Sequence, residues 1–181
     1  MQRRITTFAT LALACAIGMP ALAQKVTQLG KGGGGSPHVR SQWTAAGAAI
    51  TLEYGRPYLK GRPESQMMPA GQPWRTGADE ASTIKSDKAL TFGTVKLAAN
   101  TPYTINTIPG DKEWTLVIGK LSKPGQWGIP YQPELELGRV PMKVTTAAKP
   151  AEQVTISIDA TGPALRVEWG TVSAEAPFKI G

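Results

Sequence analysis

The stretch that decides the fold class is YTINTIPGDKEWTLVI, residues 103–118. Apolar and polar residues alternate on both sides of the turn Pro109-Gly110-Asp111, and alternation with a period of two is the pattern of a half-buried β-strand. Two such runs joined by a short turn that contains glycine predict a β-hairpin. The centre of the chain is therefore expected to be β-sheet.

Further alternating runs lie on both sides of this hairpin. They cover residues 50–54, 81–85, 89–92, 95–97, 140–144, 154–158, 165–169 and 172–180. No long window carries the apolar stripe of an amphipathic helix, and 15 prolines and 20 glycines disfavour long helices. About nine short strands at this spacing predict an all-β fold, a single antiparallel β-sandwich or jelly-roll-like domain.

The N-terminus has the order of a secretory signal peptide over residues 1–23. Arg3 and Arg4 precede an apolar run at 5–19, and the small-residue triplet ALA at 21–23 resembles a cleavage site. The apolar run is shorter than the roughly 20 residues of a membrane-spanning helix, so we expect no transmembrane segment. The predicted location is outside the cytoplasm, either periplasmic or secreted.

Cys15 is the single cysteine of the chain. Cleavage and lipidation at Cys15 is an alternative, but Ala12, three residues before it, is smaller than the aliphatic residue such sites usually carry. Cleavage after Ala23 leaves a mature chain with no cysteine, and therefore with no disulfide and no thiolate metal site.

Composition divides the rest of the chain in two. Residues 24–38 form a predicted flexible leader, because KGGGGS at 31–36 has the composition of a linker and loses much entropy on ordering. Residues 39–181 carry the alternating runs and form the predicted β-domain. The net charge of +7 is spread along the chain without a basic run. This distribution favours anionic surfaces or acidic polymers, and not nucleic acid, as partners.

The longest stretch without strand alternation runs from residue 55 to residue 77, and a loop of this length in a compact domain is usually functional or disordered. Its arginine and aromatic content argues against disorder. Arginine presents a planar fork of donors that suits carboxylate, phosphate or sulfate. We therefore predict a ligand site formed by Tyr54, Arg56, Arg62, Trp74, Arg75, Asp79 and Glu80, with Tyr58 and Lys60 beside them.

Internal pairing is a second interpretation of the same charges. Arg75 would pair with Asp79 or Glu80, and Arg56 would pair with Glu53. The arginines would then hold the loop on the sheet and contact no ligand.

The large aromatic residues divide into core and loop positions. Trp114 and Trp169 alternate with apolar neighbours and are predicted to lie in the core. Trp127 and Tyr131 lie in a loop, where either a core or a surface role is open. Trp74 is the tryptophan that we expect to line a site.

Parts for catalysis are few. The single histidine, His38, lies beside the glycine-rich segment and is expected to be an incidental surface residue. One histidine and no mature cysteine predict no metal site and no cofactor. A hydrolase could use two carboxylates from Asp79, Glu80 and Glu113, since glycoside cleavage needs two acids across a cleft.

Several motifs together resemble the bacterial DUF2911 family. They are YGRP at 54–57, KGR at 60–62 and, most specifically, WRTGADEA at 74–81. Weaker matches continue to the C-terminus, at 108–109, 113–114, 127–128, 131, 139–140 and 168–169. The turn NTP at 100–102 and the pair LG at 137–138 depart from the family pattern. The resemblance implies an exported bacterial domain of unknown function, so it supplies no activity.

The loop and the missing catalytic parts together predict an exported binding or interaction module that is not an enzyme. Its expected partner is a small anionic or carbohydrate-like envelope ligand, or an envelope protein. Two alternatives stay open, a hydrolase that uses the carboxylates near the loop and a structural protein of envelope assembly.

Overall fold

The structure, a computed structural model, describes residues 25–123 and 131–181. The predicted signal peptide and Trp127 lie outside the described residues. Within them the chain forms eleven strands, one single-turn helix α1 and one 3-10 turn. These elements are β1 (Lys25–Lys31), β2 (Pro37–Ala45), β3 (Ala48–Gly55), α1 (Glu64–Met67), β4 (Thr83–Ser86), β5 (Leu90–Phe92), β6 (Val95–Leu97), β7 (Tyr103–Ile108), β8 (Glu113–Lys120), the 3-10 turn (Pro133–Leu135), β9 (Glu136–Asp159), β10 (Ala164–Pro177) and β11 (Lys179–Ile180).

The strands form two antiparallel sheets. Eight strands make one curled sheet in the order β1-β2-β3-β4-β7-β8-β9-β10, and the remaining three make a small sheet in the order β11-β5-β6. Side chains of both sheets share one hydrophobic core, in which Phe92 and Phe178 pack with ring centroids 4.8 Å apart. The prediction of an all-β antiparallel fold is confirmed. No helix in the described ranges is long and apolar enough to cross a membrane.

The hairpin predicted at 103–118 forms strands β7 and β8. Ile108 pairs with Thr115 and Tyr103 with Lys120, so the alternating apolar residues of both strands face the core. Gly110 in the turn has no room for a side chain, because a Cβ atom there would lie 2.4 Å from the carbonyl oxygen of Glu113. The tight turn therefore fixes the register that the alternation requires.

Four of the predicted short strands merge into two long ones. Strand β9 has 24 residues and β10 has 14, and they pair with each other along most of their length. The register shifts on both sides of Gly170, which has a φ of 60°. A bulge at a glycine bends a strand without ending its pairing, so two runs that read as separate strands belong to one.

The segment predicted as a flexible leader differs from that expectation. Strand β1 pairs with β2 at the edge of the large sheet, and the glycine-rich residues 32–36 make the turn between them. Two backbone hydrogen bonds close this turn, from the N–H of Gly32 to Ser36 and from the N–H of Gly35 to Gly32, each 2.8 Å. All seven residues of β1 are exposed, so backbone pairing with β2 holds the strand.

The large sheet is curled, so that the end of β3 lies against β9. The hydroxyl of Tyr54 donates to the carbonyl oxygen of Ile156 (3.2 Å) and accepts from its N–H (3.0 Å), and Tyr54 is fully buried. Beyond β3, the N–H of Leu59 donates to Glu152 and the carbonyl of Pro57 accepts from Val154. These contacts turn the long loop after β3 across the face of β9.

Tyr54→Phe removes the hydroxyl and leaves the ring. We expect this variant to lower the free energy of unfolding by about 1–3 kcal/mol, because both backbone groups of Ile156 lose a buried partner. Tyr58→Phe is the matched control, since Tyr58 is exposed. Urea denaturation measures both variants, and equal unfolding midpoints would contradict a role for the Tyr54 hydroxyl in closing the sheet.

Burial raises the pKa of Tyr54 above its ordinary value, so the folded state favours the neutral hydroxyl. This contribution to stability is complete below about pH 10 and is lost as the pH rises through the raised pKa. The unfolding free energy of Tyr54→Phe should therefore fall less steeply with pH than that of the wild type above about pH 10. Denaturation at a series of neutral and alkaline pH values measures how the unfolding free energy of each protein changes with pH. The same pH dependence in both proteins would refute the raised pKa of Tyr54.

Candidate functional site

A cleft of about 390 Å³ lies between the long loop after β3 and the glycine-rich turn before β2. We call it the aromatic cleft. Its walls come from three parts of the chain: the turn at 34–36, the loop from Pro57 onward with its exit at 77–79, and strand β10. The lining residues are Gly34, Gly35, Ser36, Pro57, Tyr58, Lys60, Arg62, Met67, Trp74, Gly77, Ala78, Asp79 and Trp169.

Stacked indole rings form the apolar side of the aromatic cleft. Trp74 lies on Trp169 with ring centroids 5.5 Å apart and an interplanar angle of 13°, and it makes a T-shaped contact with Trp114, with ring centroids 6.4 Å apart. Trp114 and Trp169 are buried, as predicted, whereas Trp74 is half-buried. The N–H of Trp74 donates to the carbonyl oxygen of Thr107, and the N–H of Thr107 donates to the carbonyl oxygen of Trp74, so the backbone of Trp74 is held in place. Trp74 therefore presents a fixed ring to the cleft.

Lys60 and Arg62 form the cationic side of the aromatic cleft. The guanidinium of Arg62 donates to the carbonyl oxygens of Tyr58 and of Leu59, the latter at 2.9 Å. The N–H of Lys60 donates to a carboxylate oxygen of Glu152 at 2.8 Å, so its main chain is fixed while its side chain is exposed. Two positive charges thus stand on a backbone that β9 anchors.

Asp79 brings one negative charge to the cleft. Its Oδ2 atom is buried and has no hydrogen-bond partner among the described residues. The carboxylate lies against Gly32, where an added Cβ atom would fall 1.7 Å from Oδ2. A buried carboxylate oxygen without a donor is costly, so this contact is a point of local instability.

Two of the five described non-glycine residues with a positive φ lie at the loop exit. Thr76 and Asp79 both have left-handed φ angles, of 54° and 65°, and this conformation is unusual for a β-branched residue such as threonine. Thr76 is fully buried, and its hydroxyl lies 3.1 Å from that of Thr107. Gly55 packs so closely on this segment that a Cβ atom would lie 2.1 Å from the carbonyl oxygen of Ala78. Strain of this kind is typical of functional sites.

Two residues predicted for the ligand site serve the fold and do not line the cleft. Tyr54 is buried in the core, as described above. Arg56 donates to the carbonyl oxygen of Val154 (2.9 Å) and to the hydroxyl of Thr155 (3.0 Å). The predicted pair of Arg56 with Glu53 is absent from the described ion pairs, because Glu53 binds Arg40 at 2.6 Å instead.

Arg75 also has a structural contact, but not the predicted one. Its guanidinium donates to the main-chain oxygen of Asp79 at 2.9 Å, and it binds neither the Asp79 nor the Glu80 carboxylate. Its side chain lines a separate cavity of about 30 Å³, near Tyr131 and Glu136. Arg75 therefore stabilises the strained loop exit from within the loop.

His38 is buried and not a surface residue, which corrects the prediction. Strand β2 begins at Pro37, and His38 is placed between Gly30 of β1 and Gly55 of β3. Its Nε2 atom lies 3.5 Å from Oε2 of Glu80. Glu80 thus faces histidine and lies outside the aromatic cleft.

The predicted carboxylates do not share one cleft. Glu113 lies in an open groove on the far part of the sheet, with Lys112 and Lys143 beside it. In the described residues no group of three histidine, cysteine, aspartate or glutamate side chains is placed to hold a metal ion. Asp79 is the only one of the three predicted acids that lines the aromatic cleft.

Tyr131 belongs to a small polar cluster at the other cavity. Its hydroxyl donates to Glu136, which also accepts from Arg139 at 2.9 Å. Hydrogen bonds from Arg139 and Tyr131 hold the pKa of the Glu136 carboxyl below its usual range. The open question of a core or surface role for Tyr131 is thus answered by a half-buried position in a surface cluster.

Sequence reasoning missed three walls of the aromatic cleft. Met67 belongs to a single helical turn with no periodic signal, and the turn at 34–36 was assigned to a flexible leader. Trp169 lies in the core, as predicted, and it also stacks on Trp74 of the long loop. Nothing in the local sequence of these residues indicates a shared cleft.

Arg56→Ala tests the structural role of this residue. We expect the free energy of unfolding to fall by about 1–3 kcal/mol, since a half-buried charged donor leaves Val154 and Thr155. Arg40→Ala is the matched control, because its ion pair with Glu53 is exposed and contributes less than about 1 kcal/mol. Chemical denaturation compares the two, and an equal loss in both variants would refute the structural assignment.

Comparison with known proteins gives one informative result. No curated protein and no solved structure shows significant similarity to the chain. A family model described as "Protein of unknown function (DUF2911)" matches residues 36–178, a range that holds every wall of the aromatic cleft except Gly34 and Gly35. Because this match covers most of the chain and nearly all of the described fold, the chain belongs to the DUF2911 family.

Proposed function

We propose that this protein is a binding module that takes a small anionic, carbohydrate-like ligand in the aromatic cleft. The observation that carries the proposal is the placement of Lys60 and Arg62 in one cleft with the stacked ring of Trp74. Binding sites combine a mostly apolar wall with a few fixed polar groups, and this cleft has both.

Each wall of the cleft suits one part of such a ligand. The face of an indole ring packs against the C–H face of a sugar, and Trp74 is rigid because Trp169 supports it. Lys60 and Arg62 attract a carboxylate, phosphate or sulfate group. Asp79 offers an acceptor to a ligand hydroxyl when Gly32 does not cover its carboxylate. The left-handed φ of Thr76, a strained conformation for a β-branched residue, supports a functional role for the same segment.

Two predicted contacts are revised in this proposal. Arg56 and Arg75 do not line the aromatic cleft, so the proposed ligand contacts shift to Tyr58, Lys60 and Arg62, which do line it. The proposal includes export directed by the N-terminal segment. An exported protein would meet its ligand in the cell envelope or outside the cell.

A hydrolase remains the second candidate, and one observation favours it. No donor of the described residues reaches the Oδ2 atom of Asp79, as can be the case for a catalytic carboxylate in a cleft. A partner acid is not at hand, because Glu80 faces His38 and Glu113 lies in another groove. Incubation of the protein with glycosides and assay of released reducing sugar tests this candidate.

A thermal-shift titration tests the binding proposal. The probes are glucuronate, inorganic phosphate and glucose, which separate an acidic sugar from a simple anion and a neutral sugar. We expect glucuronate to raise the melting temperature, by on the order of 5 °C at 100 times its dissociation constant, because a ligand of the folded state stabilises it by mass action.

Lys60→Ala and Arg62→Ala supply the test of location. Each should weaken glucuronate binding at least about 5-fold, since one of two cations of the cleft is lost. Lys96→Ala and Arg40→Ala are the matched controls, because both residues are exposed and lie outside the cleft. Equal affinity in Lys60→Ala and Lys96→Ala would move the binding site elsewhere, and no shift with any probe would reject the proposed ligand class.

A further inference from the structure

Strand β1 and the glycine-rich turn form an appendage on the edge of the large sheet. We call residues 25–35 the N-terminal strap. In the described residues β1 pairs with β2 alone, and this pairing is irregular between Gln28 and Gly30. All seven residues of β1 are exposed. The strap therefore buries little apolar surface, which is the usual source of stability.

The strap reaches the aromatic cleft through its turn. Gly34 and Gly35 form part of the cleft wall, and the backbone of Gly32 lies on the carboxylate of Asp79. The contact is so close that a Cβ atom on Gly32 would lie 1.7 Å from Oδ2 and 2.5 Å from Oδ1. With the strap in this position, Oδ2 is out of reach of solvent and has no hydrogen-bond partner among the described residues.

Two costs oppose this closed position. Ordering consecutive glycines loses more backbone entropy than ordering other residues. Burying a carboxylate oxygen without a hydrogen-bond donor costs the hydration free energy of that oxygen, and no new hydrogen bond offsets this cost. Segments with exposed side chains and few buried contacts open locally at low free energy, and the strap has these properties.

The rest of the domain does not depend on the strap. The family match begins at residue 36, directly after it, and the hydrophobic core contains no residue of 25–35. Opening of the strap would therefore leave the two sheets and the other walls of the cleft in place.

We infer that the N-terminal strap is a displaceable cover of the aromatic cleft. When the strap lifts, Gly32 leaves Asp79 and the carboxylate can accept a hydrogen bond from a hydroxyl of a bound ligand. When it closes, the cleft loses that acceptor and is narrowed by Gly34 and Gly35. The regulatory meaning of the cover rests on the proposed binding function, but its movement is measurable without any ligand.

Gly32→Ala in the full chain shifts the strap toward the open position. Its methyl group cannot coexist with the Asp79 carboxylate as it now lies. Gly34→Ala is the matched control, since nothing lies within 4 Å of the Cβ position there and neither glycine has a positive φ. Amide hydrogen exchange over residues 25–31 should be at least about 5-fold faster in Gly32→Ala than in Gly34→Ala.

Asp79→Asn should act in the opposite direction. Asparagine has the same shape, tolerates the left-handed φ and carries no charge, so the cost of closing the strap falls. We expect exchange over residues 25–31 to be about 3-fold slower than in the wild type. An identical rate in the wild type, Gly32→Ala and Asp79→Asn would overturn the inference.

Quenching of tryptophan fluorescence by acrylamide measures whether the moving strap uncovers the cleft. Gly32→Ala should raise the quenching constant above that of Gly34→Ala, and the added Trp74→Phe substitution should remove this increment. Faster exchange with unchanged quenching would show a mobile strap that covers nothing, and this outcome rejects the cover. Hydrogen exchange and acrylamide quenching need no ligand, so both can be interpreted even if no probe binds. Failure of the proposed binding function can therefore be distinguished from failure of the proposed cover.

Discussion

The closure of β3 onto β9 determines where the walls of the aromatic cleft lie. Glu152 is the centre of this closure: its carbonyl oxygen accepts from Leu59 and, at 3.3 Å, from the indole N–H of Trp169. Its carboxylate accepts from the N–H of Lys60. One residue of β9 thus positions an aromatic wall and a cationic wall together. The buried Tyr54 hydroxyl adds two hydrogen bonds between the same strands, at Ile156.

The fold class could be predicted because each strand carries its own signal. The alternation at 103–118 is local, and the structure gives β7 and β8 at nearly those bounds. The union of two runs into β10 could not be predicted, since the bulge at Gly170 is visible only as a change of register. Strand β1 was missed for a similar reason: its backbone is held by β2, while none of its side chains is buried.

The candidate site was predicted in position but only partly in residues. Loop length and aromatic content indicate the segment that lines the aromatic cleft, and Trp74 is one of the lining residues. The sequence predicts Arg56 and Arg75 as ligand contacts because it shows their charges and not the carbonyl oxygens to which they donate. The partner of Arg56 lies 98 residues away along the chain, and no local pattern reports such a distance. The contact of His38 with Glu80 also joins residues that are far apart along the chain, so no local pattern predicts it.

The Tyr54 closure also has a consequence for the order of folding. The two residues that it joins are 102 positions apart, so the hydrogen bonds cannot form until most of the chain is present. Contacts between residues so far apart in sequence slow folding, because the chain loses loop-closure entropy before the contacts can stabilise it. The β7–β8 hairpin, whose partners are close in sequence, can form early, whereas the cleft is completed only after the last third of the chain has been synthesised.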